Sequence, residues 1–171
     1  MRILGIDPGS RKTGYGIVDM EGQHITYVAS GCISMSDQVL AERLKIIFEG
    51  IGTLIATYEP REMAIERVFM HRNADSALKL GQARGAAICA VVTQTIPVHE
   101  YSATQIKQSV VGKGHAQKNQ VQHMMKVLLK LNDYPQPDAA DALATAYCHA
   151  SMNGTLLQLN GVAARRRGRY R

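Results

Sequence analysis

Residues 1–16, MRILGIDPGSRKTGYG, decide the reading of the fold. An apolar run ends on an acid, Asp7, and Pro8 and Gly9 follow at once. Arg2 to Asp7 and Gly14 to Met20 have strand composition on either side of the DPGSRKT turn. His24 to Ser34 adds a third short β-type run after Glu21-Gly22, so the chain opens as an antiparallel meander. Side chains alternate along a strand, which puts Asp7 on one face with Ile3 and Gly5, and Gly5 and Gly9 leave room beside the carboxylate. Two readings of Asp7 follow. Asp-Pro-Gly is a favoured turn sequence with its own local explanation, and a carboxylate at a strand end is also a place to hold a ligand.

Downstream the period changes. Leu40, Leu44, Ile47, Ile51, Leu54 and Ile55 recur at three- and four-residue steps, predicting a helix over Ala41 to Tyr58 that stops before Pro60. Met63 to Phe69 is short and apolar, as a buried strand is. Asn73 is placed to cap a helix reaching about Val92, and Ile96 to Tyr101 reads as a fifth strand. Helical segments follow near 103–111, 116–130 and 138–150. Strands first, then strands alternating with helices, predict an α/β domain. Its single mixed five-stranded sheet combines the antiparallel meander with parallel strands reached by right-handed crossovers, all flanked by helices. This folded domain is expected to span 1–150. Ser151 onward mixes Asn, Gly, Gln and Arg without sustained periodicity and is expected to be a flexible basic tail, 151–171.

Composition fits one domain: 171 residues, 46% hydrophobic, suffice for a core of their own. No stretch approaches the ~20 apolar residues of a bilayer span and no signal-peptide pattern opens the chain, so a soluble, cytoplasmic protein is expected. Cys32, Cys89 and Cys148 are widely spaced without a CxxC pair, predicting neither disulfides nor a thiolate zinc site but small buried residues. Of the net charge of +6, the five arginines at 165, 166, 167, 169 and 171 account for most. Within the body, Lys107, Lys113, Lys118, Lys126 and Lys130 lie between Glu100 and Asp133 with no carboxylate among them. That block suits either a phosphate-facing surface or a solvated helix face.

Three further acids are candidates to join Asp7. Glu66 sits among apolar neighbours, where an unpaired carboxylate costs several kcal/mol, so it either has a cation nearby or emerges into water at the strand end. Arg67 points to the opposite face and is no partner. In PDAADALATA, Asp138 and Asp141 project from one side of the first helical turn beside an Ala-rich stripe, although acids there also complement the helix dipole. Four carboxylates from a first strand, a central strand and a late helix start would repel one another without divalent cations. Hard oxygen ligands suit Mg²⁺ or Mn²⁺. Two such ions can activate a water and stabilise the leaving oxygen of a phosphodiester.

ILGIDPGSRKTGYGIV, AIERVFMHRNADSALKLGQARGAAI, VVGKGHAQKNQVQHMM and DAADALATAYCH resemble, in that order, the bacterial Holliday-junction resolvase family RuvC over residues 1–150. The resemblance implies a ribonuclease H-like fold and a homodimer acting on four-way junction DNA. It also implies paired symmetric nicks with 5′-phosphate and 3′-hydroxyl ends during recombination and DNA repair, and cooperation with the RuvA and RuvB branch-migration proteins. Carried over by motif, Asp7, Glu66, Asp138 and Asp141 are catalytic ligands of Mg²⁺, for which Mn²⁺ substitutes, with two ions per site. Lys107 and Lys118 match basic positions that engage the DNA backbone, and Phe69 an aromatic that contacts junction bases. Arg67, His71 and the basic loop GKGHAQK, including His115, depart from the family pattern.

His115 and His123 lack metal-ligand spacing on one helix face and are expected at the surface. Ala77, Gly81 and Gly85 form a small-residue stripe that serves either a second copy of the chain or packing within it. Other function classes remain open on sequence alone: a ribonuclease H-like nuclease for RNA–DNA hybrids or flaps, half of a sugar-kinase or actin-like ATPase, and a non-catalytic DNA-binding module. The ATPase reading needs a second related domain, for which 171 residues without a repeat leave no room.

Overall fold

A computed structural model describes residues 1–35, 39–67 and 73–167, with side chains through residue 154. Strands β1 (Arg2–Asp7), β2 (Lys12–Glu21) and β3 (His24–Ser34) form the expected meander, and helix α1 (Leu40–Tyr58) leads into β4 (Glu62–Glu66). Helix α2 (Ala74–Val92) and strand β5 (Val98–Tyr101) follow, then α3 (Ala103–Val111), α4 (Lys118–Leu128) and α5 (Pro137–Arg167). The sheet order is β3-β2-β1-β4-β5, with β1 antiparallel to β2 and parallel to β4, and β4 parallel to β5. None of the helices among the described residues is long and apolar enough to cross a membrane.

The two-residue period of the strands divides the core. Leu4, Ile6, Met63 and Ile65 point to one face and pack with Ile47, Ile51, Ala83 and Ala87 of α1 and α2. Ile3, Val18 and Ala64 point to the other, against Ile106, Val121, Met125 and Leu143 of α3, α4 and α5. Asp7 and Glu66 therefore share the α5 side of the sheet, by the alternation that buries their neighbours.

Close backbone approach sets α5 in place. A Cβ at Gly5 would lie 2.1 Å from the carbonyl oxygen of Ala142, and one at Gly14 would lie 2.0 Å from that of Asp138. Gly14 pairs with Asp7 across the β1–β2 ladder. The start of α5 thus lies directly over the end of β1. Asn73 accepts a hydrogen bond from the Ser76 backbone N–H, as a cap does, and Ser102 and Gln105 close a capping box on α3.

Several expectations need correction. Helix α5 runs on to Arg167 rather than ending near 150, because no proline follows residue 137 and leucine, alanine and arginine, all good helix formers, outweigh Gly154 and Gly161. Strand β4 begins at Glu62 and ends at Glu66, short of Phe69, once its ladder with β5 finishes at Tyr101. Strand β5 starts two residues later than predicted, after Pro97, which has no N–H to give a ladder. Of the three free cysteines only Cys148 is buried; Cys89 is exposed because it falls on the outer face of α2.

Candidate active site

The DPGSRKT segment does form a turn, and its anchor is Thr13. This buried residue donates from Oγ1 to the Gly9 carbonyl at 3.2 Å and accepts from the Gly9 N–H at 3.4 Å. The turn stops β1 with Asp7 as its last residue. Separated from β1 by two strands in sequence but adjacent to it in the sheet, parallel β4 stops with Glu66.

Asp7, Glu66 and Asp141 line one pocket of about 210 Å³ together with Lys107 and Lys118. Ala103, Ile106 and Val121 supply its apolar wall. Asp138 is not a lining residue, but its charge is felt by both Asp7 and Lys118. Lys118 opens α4 and reaches across 23 positions of sequence to donate to Asp141 Oδ2 at 3.0 Å. A cation at a helix N-terminus is unfavourable for the dipole; Asp141 offsets that cost and pushes the Lys118 ammonium pKa up.

Electrostatically the pocket is overloaded with negative charge. Burial first, then Asp141 and Glu66, push the Asp7 carboxyl up to about 7. Burial and Asp141 likewise raise Glu66, against the opposing influence of Lys107 and Lys118. Carboxylates so crowded favour either protons or a cation among them. An oxygen-only donor set fits a hard dication such as Mg²⁺ or Mn²⁺, so the residues present suit the metal that the chemistry calls for.

Arg67, just past the end of β4, does not line this pocket and pairs with Glu100 at 3.7 Å. Arg84 of α2 donates to the Glu66 carbonyl and pairs with Glu100 at 2.7 Å, bracing the end of β4 from the opposite face. His115 and His123 are exposed, the latter hydrogen-bonded to Tyr134. Phe69 and His71 lie outside the described residues. Sequence reasoning missed the apolar wall and the partner of Lys118. It also missed a second group, Glu62, His99 and His149, at the other end of β4. Alternation along β4 already placed Glu62 on the face of Glu66, which was the available signal.

A larger space of about 620 Å³ lies between the β2–β3 hairpin and the end of α4, without any of the four acids. Three of the four acids line the smaller pocket instead.

Comparison with known proteins shows the family. The sequence model of the family described as crossover junction endodeoxyribonuclease RuvC matches residues 3–149. A crossover junction endodeoxyribonuclease RuvC of Shewanella baltica is 61% identical over 170 residues, covering 99% of this chain and 98% of its own. The protein of that name from Vibrio cholerae is 58% identical over the same extent. Among solved structures, Thermus thermophilus RuvC in complex with a Holliday junction substrate superposes with a TM-score of 0.84 at 32% identity, over 91% of this chain and 96% of that one. On these matches, which span nearly the whole sequence and every element that builds the pocket, the chain belongs to the RuvC family of crossover junction endodeoxyribonucleases.

Proposed function

We infer that the chain is a crossover junction endodeoxyribonuclease that resolves Holliday junctions, and that the pocket beneath the start of α5 is where it cuts. The observation that carries this reading is the convergence of Asp7, Glu66 and Asp141 with Lys107 and Lys118 on one small pocket in a chain of this family. Asp7, Glu66, Asp138 and Asp141 are the residues that would hold Mg²⁺, or Mn²⁺ in its place, as two ions per site. Held there, the cations would supply acidification of an attacking water and offset charge growing on the phosphate. Asp7 and Glu66 are fixed by the sheet, so no reorganisation is needed when the phosphodiester arrives. Lys107 and Lys118 attract the backbone and neutralise phosphate charge at the pocket mouth, and Phe69 engages junction bases. Water adds to phosphorus and the bond to the 3′ oxygen breaks, giving ligatable 5′-phosphate and 3′-hydroxyl ends.

Resolution requires two nicks related by symmetry, and a two-fold homodimer supplies two pockets. The stripe on α2 supports such a dimer. Among the described residues nothing beyond the helix's own backbone lies within 4 Å of a Cβ placed at Gly81 or Gly85, which leaves these two positions open to a second copy. Leu78 on the same side is 67% exposed. Residues 1–150 form the nuclease domain and 151–171 a basic extension. The enzyme works in the cytoplasm, in recombination and repair, with RuvA and RuvB as partners. A direct comparison of hydrolysis of a mobile four-way junction and an RNA–DNA hybrid, both with Mg²⁺, tests the substrate: the junction is expected to be cut in preference, and preference for the hybrid contradicts this reading.

A further inference from the structure

Strand β4 presents Glu62, Ala64 and Glu66 on the face covered by α5, so the element that ends in the pocket begins with a second carboxylate there. Glu62 meets His99 of β5 and His149 of α5, and one donor atom from each of the three lies within 4.8 Å of the others. His149 Nε2 is hydrogen-bonded to Glu62 Oε2. His99 Nε2 lies 3.4 Å from the same oxygen, yet this nitrogen is buried and makes no hydrogen bond. The two imidazoles stack with centroids 4.4 Å apart and planes inclined by 29°. Asn153, one turn after His149, brings its side-chain amide to 3.3 Å from Glu62 Oε2 and 3.2 Å from His149 Nε2.

A satisfied core histidine has no need of this company. Burial pushes the His149 pKa down, against the raising influence of its hydrogen bond to Glu62. An orphaned buried nitrogen is rare in folded proteins and asks for a ligand. The outer contacts are those of a metal-bound histidine: Tyr101 Oη lies 2.6 Å from His149 Nδ1 and accepts its proton once Nε2 is committed to an ion. Asn153, with its amide turned over, offers Oδ1 as a further oxygen.

We propose that Glu62, His99 and His149 form a second metal site, separate from the carboxylate pocket, that takes a borderline transition-metal dication of the zinc class. Two imidazole nitrogens and one carboxylate, completed by water or Asn153, make a four-coordinate set for Zn²⁺ or Co²⁺, whereas Mg²⁺ prefers oxygen and its own waters. The four-residue interval from Glu62 to Glu66 spans about 13 Å of strand, and the eight from Asp141 to His149 about 12 Å of helix. None of the three residues lines the carboxylate pocket. An ion held by them clips β4, β5 and α5 to one another at the end remote from catalysis, bracing two of the elements that carry the acids.

The test is a titration of the metal-stripped, full-length protein with Co²⁺ in excess Mg²⁺, following the visible ligand-field bands, with thermal melting in Zn²⁺ alongside. One Co²⁺ per chain with intense four-coordinate bands is expected, displaced by Zn²⁺, together with a Zn²⁺-dependent rise in melting temperature. His99→Phe keeps a stacked ring and removes the nitrogen, and Glu62→Gln keeps shape and removes the charge. Each is expected to weaken binding by about tenfold or more and to abolish the melting shift. If one of them fails to fold, the other decides. Asp7→Asn is expected to keep the bands. Absence of bands in the wild type, equal titrations for wild type and the two variants, or loss of the bands in Asp7→Asn each overturns the proposal.

Discussion

Asp7 shows how a local reading and a functional one coexist in a single residue. Pro8 and Gly9 do make the turn, and the Thr13 anchor that holds it leaves the carboxylate at the strand end. An unfolded Asp titrates near 4, whereas this one is held at about 7. Between those values the folded protein binds more protons than the unfolded chain. Without metal, the stability that protonation of Asp7 confers is complete below about pH 4 and is lost as pH rises through about 7. Asp7→Asn removes this dependence and is expected to raise metal-free stability at pH 8 by up to about 4 kcal/mol, read by denaturant unfolding in EDTA. A variant no more stable than wild type there would argue against a self-repelling cluster. Lys118 was legible as a cation out of place at a helix start, but its partner was not, since Asp141 lies 23 residues away on another helix. Lys118→Ala is expected to slow junction cleavage about tenfold or more, with a shallower salt dependence of binding. Cleavage at the wild-type rate across a salt series would remove its role.

At the scale of elements, α5 carries the most consequence and was read only in part. Its Ala-rich beginning was visible from Asp138, and the structure starts the helix one residue earlier, at Pro137, since proline suits the first helical position. Its true end was not visible, since that depended on propensity summed over a segment without strong periodicity or a stop signal. The seating of α5 on the sheet was also hidden. Gly5 and Gly9 were read as room beside a carboxylate; at Gly5 the structure shows the room taken by α5 backbone, as it is at Gly14, which the sequence did not single out. Gly14→Ala places a methyl 2.0 Å from the Asp138 carbonyl oxygen, so helix or hairpin must shift. A destabilisation of about 1–3 kcal/mol is expected, with a larger fall in cleavage than in junction binding. Equilibrium unfolding and a gel-shift assay measure the two, and an unchanged cutting rate would show that the position of α5 is not critical. The strands were more legible because apolar alternation and turn chemistry specify them within a few residues.

For the whole molecule, α/β class, strand count and mixed topology followed from the order of strand-like and helical segments, since few arrangements of such a chain bury both sheet faces. What no single chain displays is its partner. The outward face of α2, with Leu78 at 67% exposure beside the open Gly81 and Gly85, is the surface on which the dimer proposal rests. Leu78→Asp is expected to shift the protein toward monomer in sedimentation while leaving the fold intact by circular dichroism. Monomers alone for the wild type, both free and on junction DNA, would contradict a two-fold enzyme.

The most direct measurement is to incubate the protein with a synthetic mobile four-way junction and Mg²⁺, map both cuts, and treat the products with DNA ligase, with Asp7→Asn in parallel. Symmetric nicks that the ligase seals are predicted for the wild type, and for Asp7→Asn retained binding with cleavage reduced by about a hundredfold or more. Asymmetric or unsealable products, or cutting by Asp7→Asn at the wild-type rate, would contradict the account.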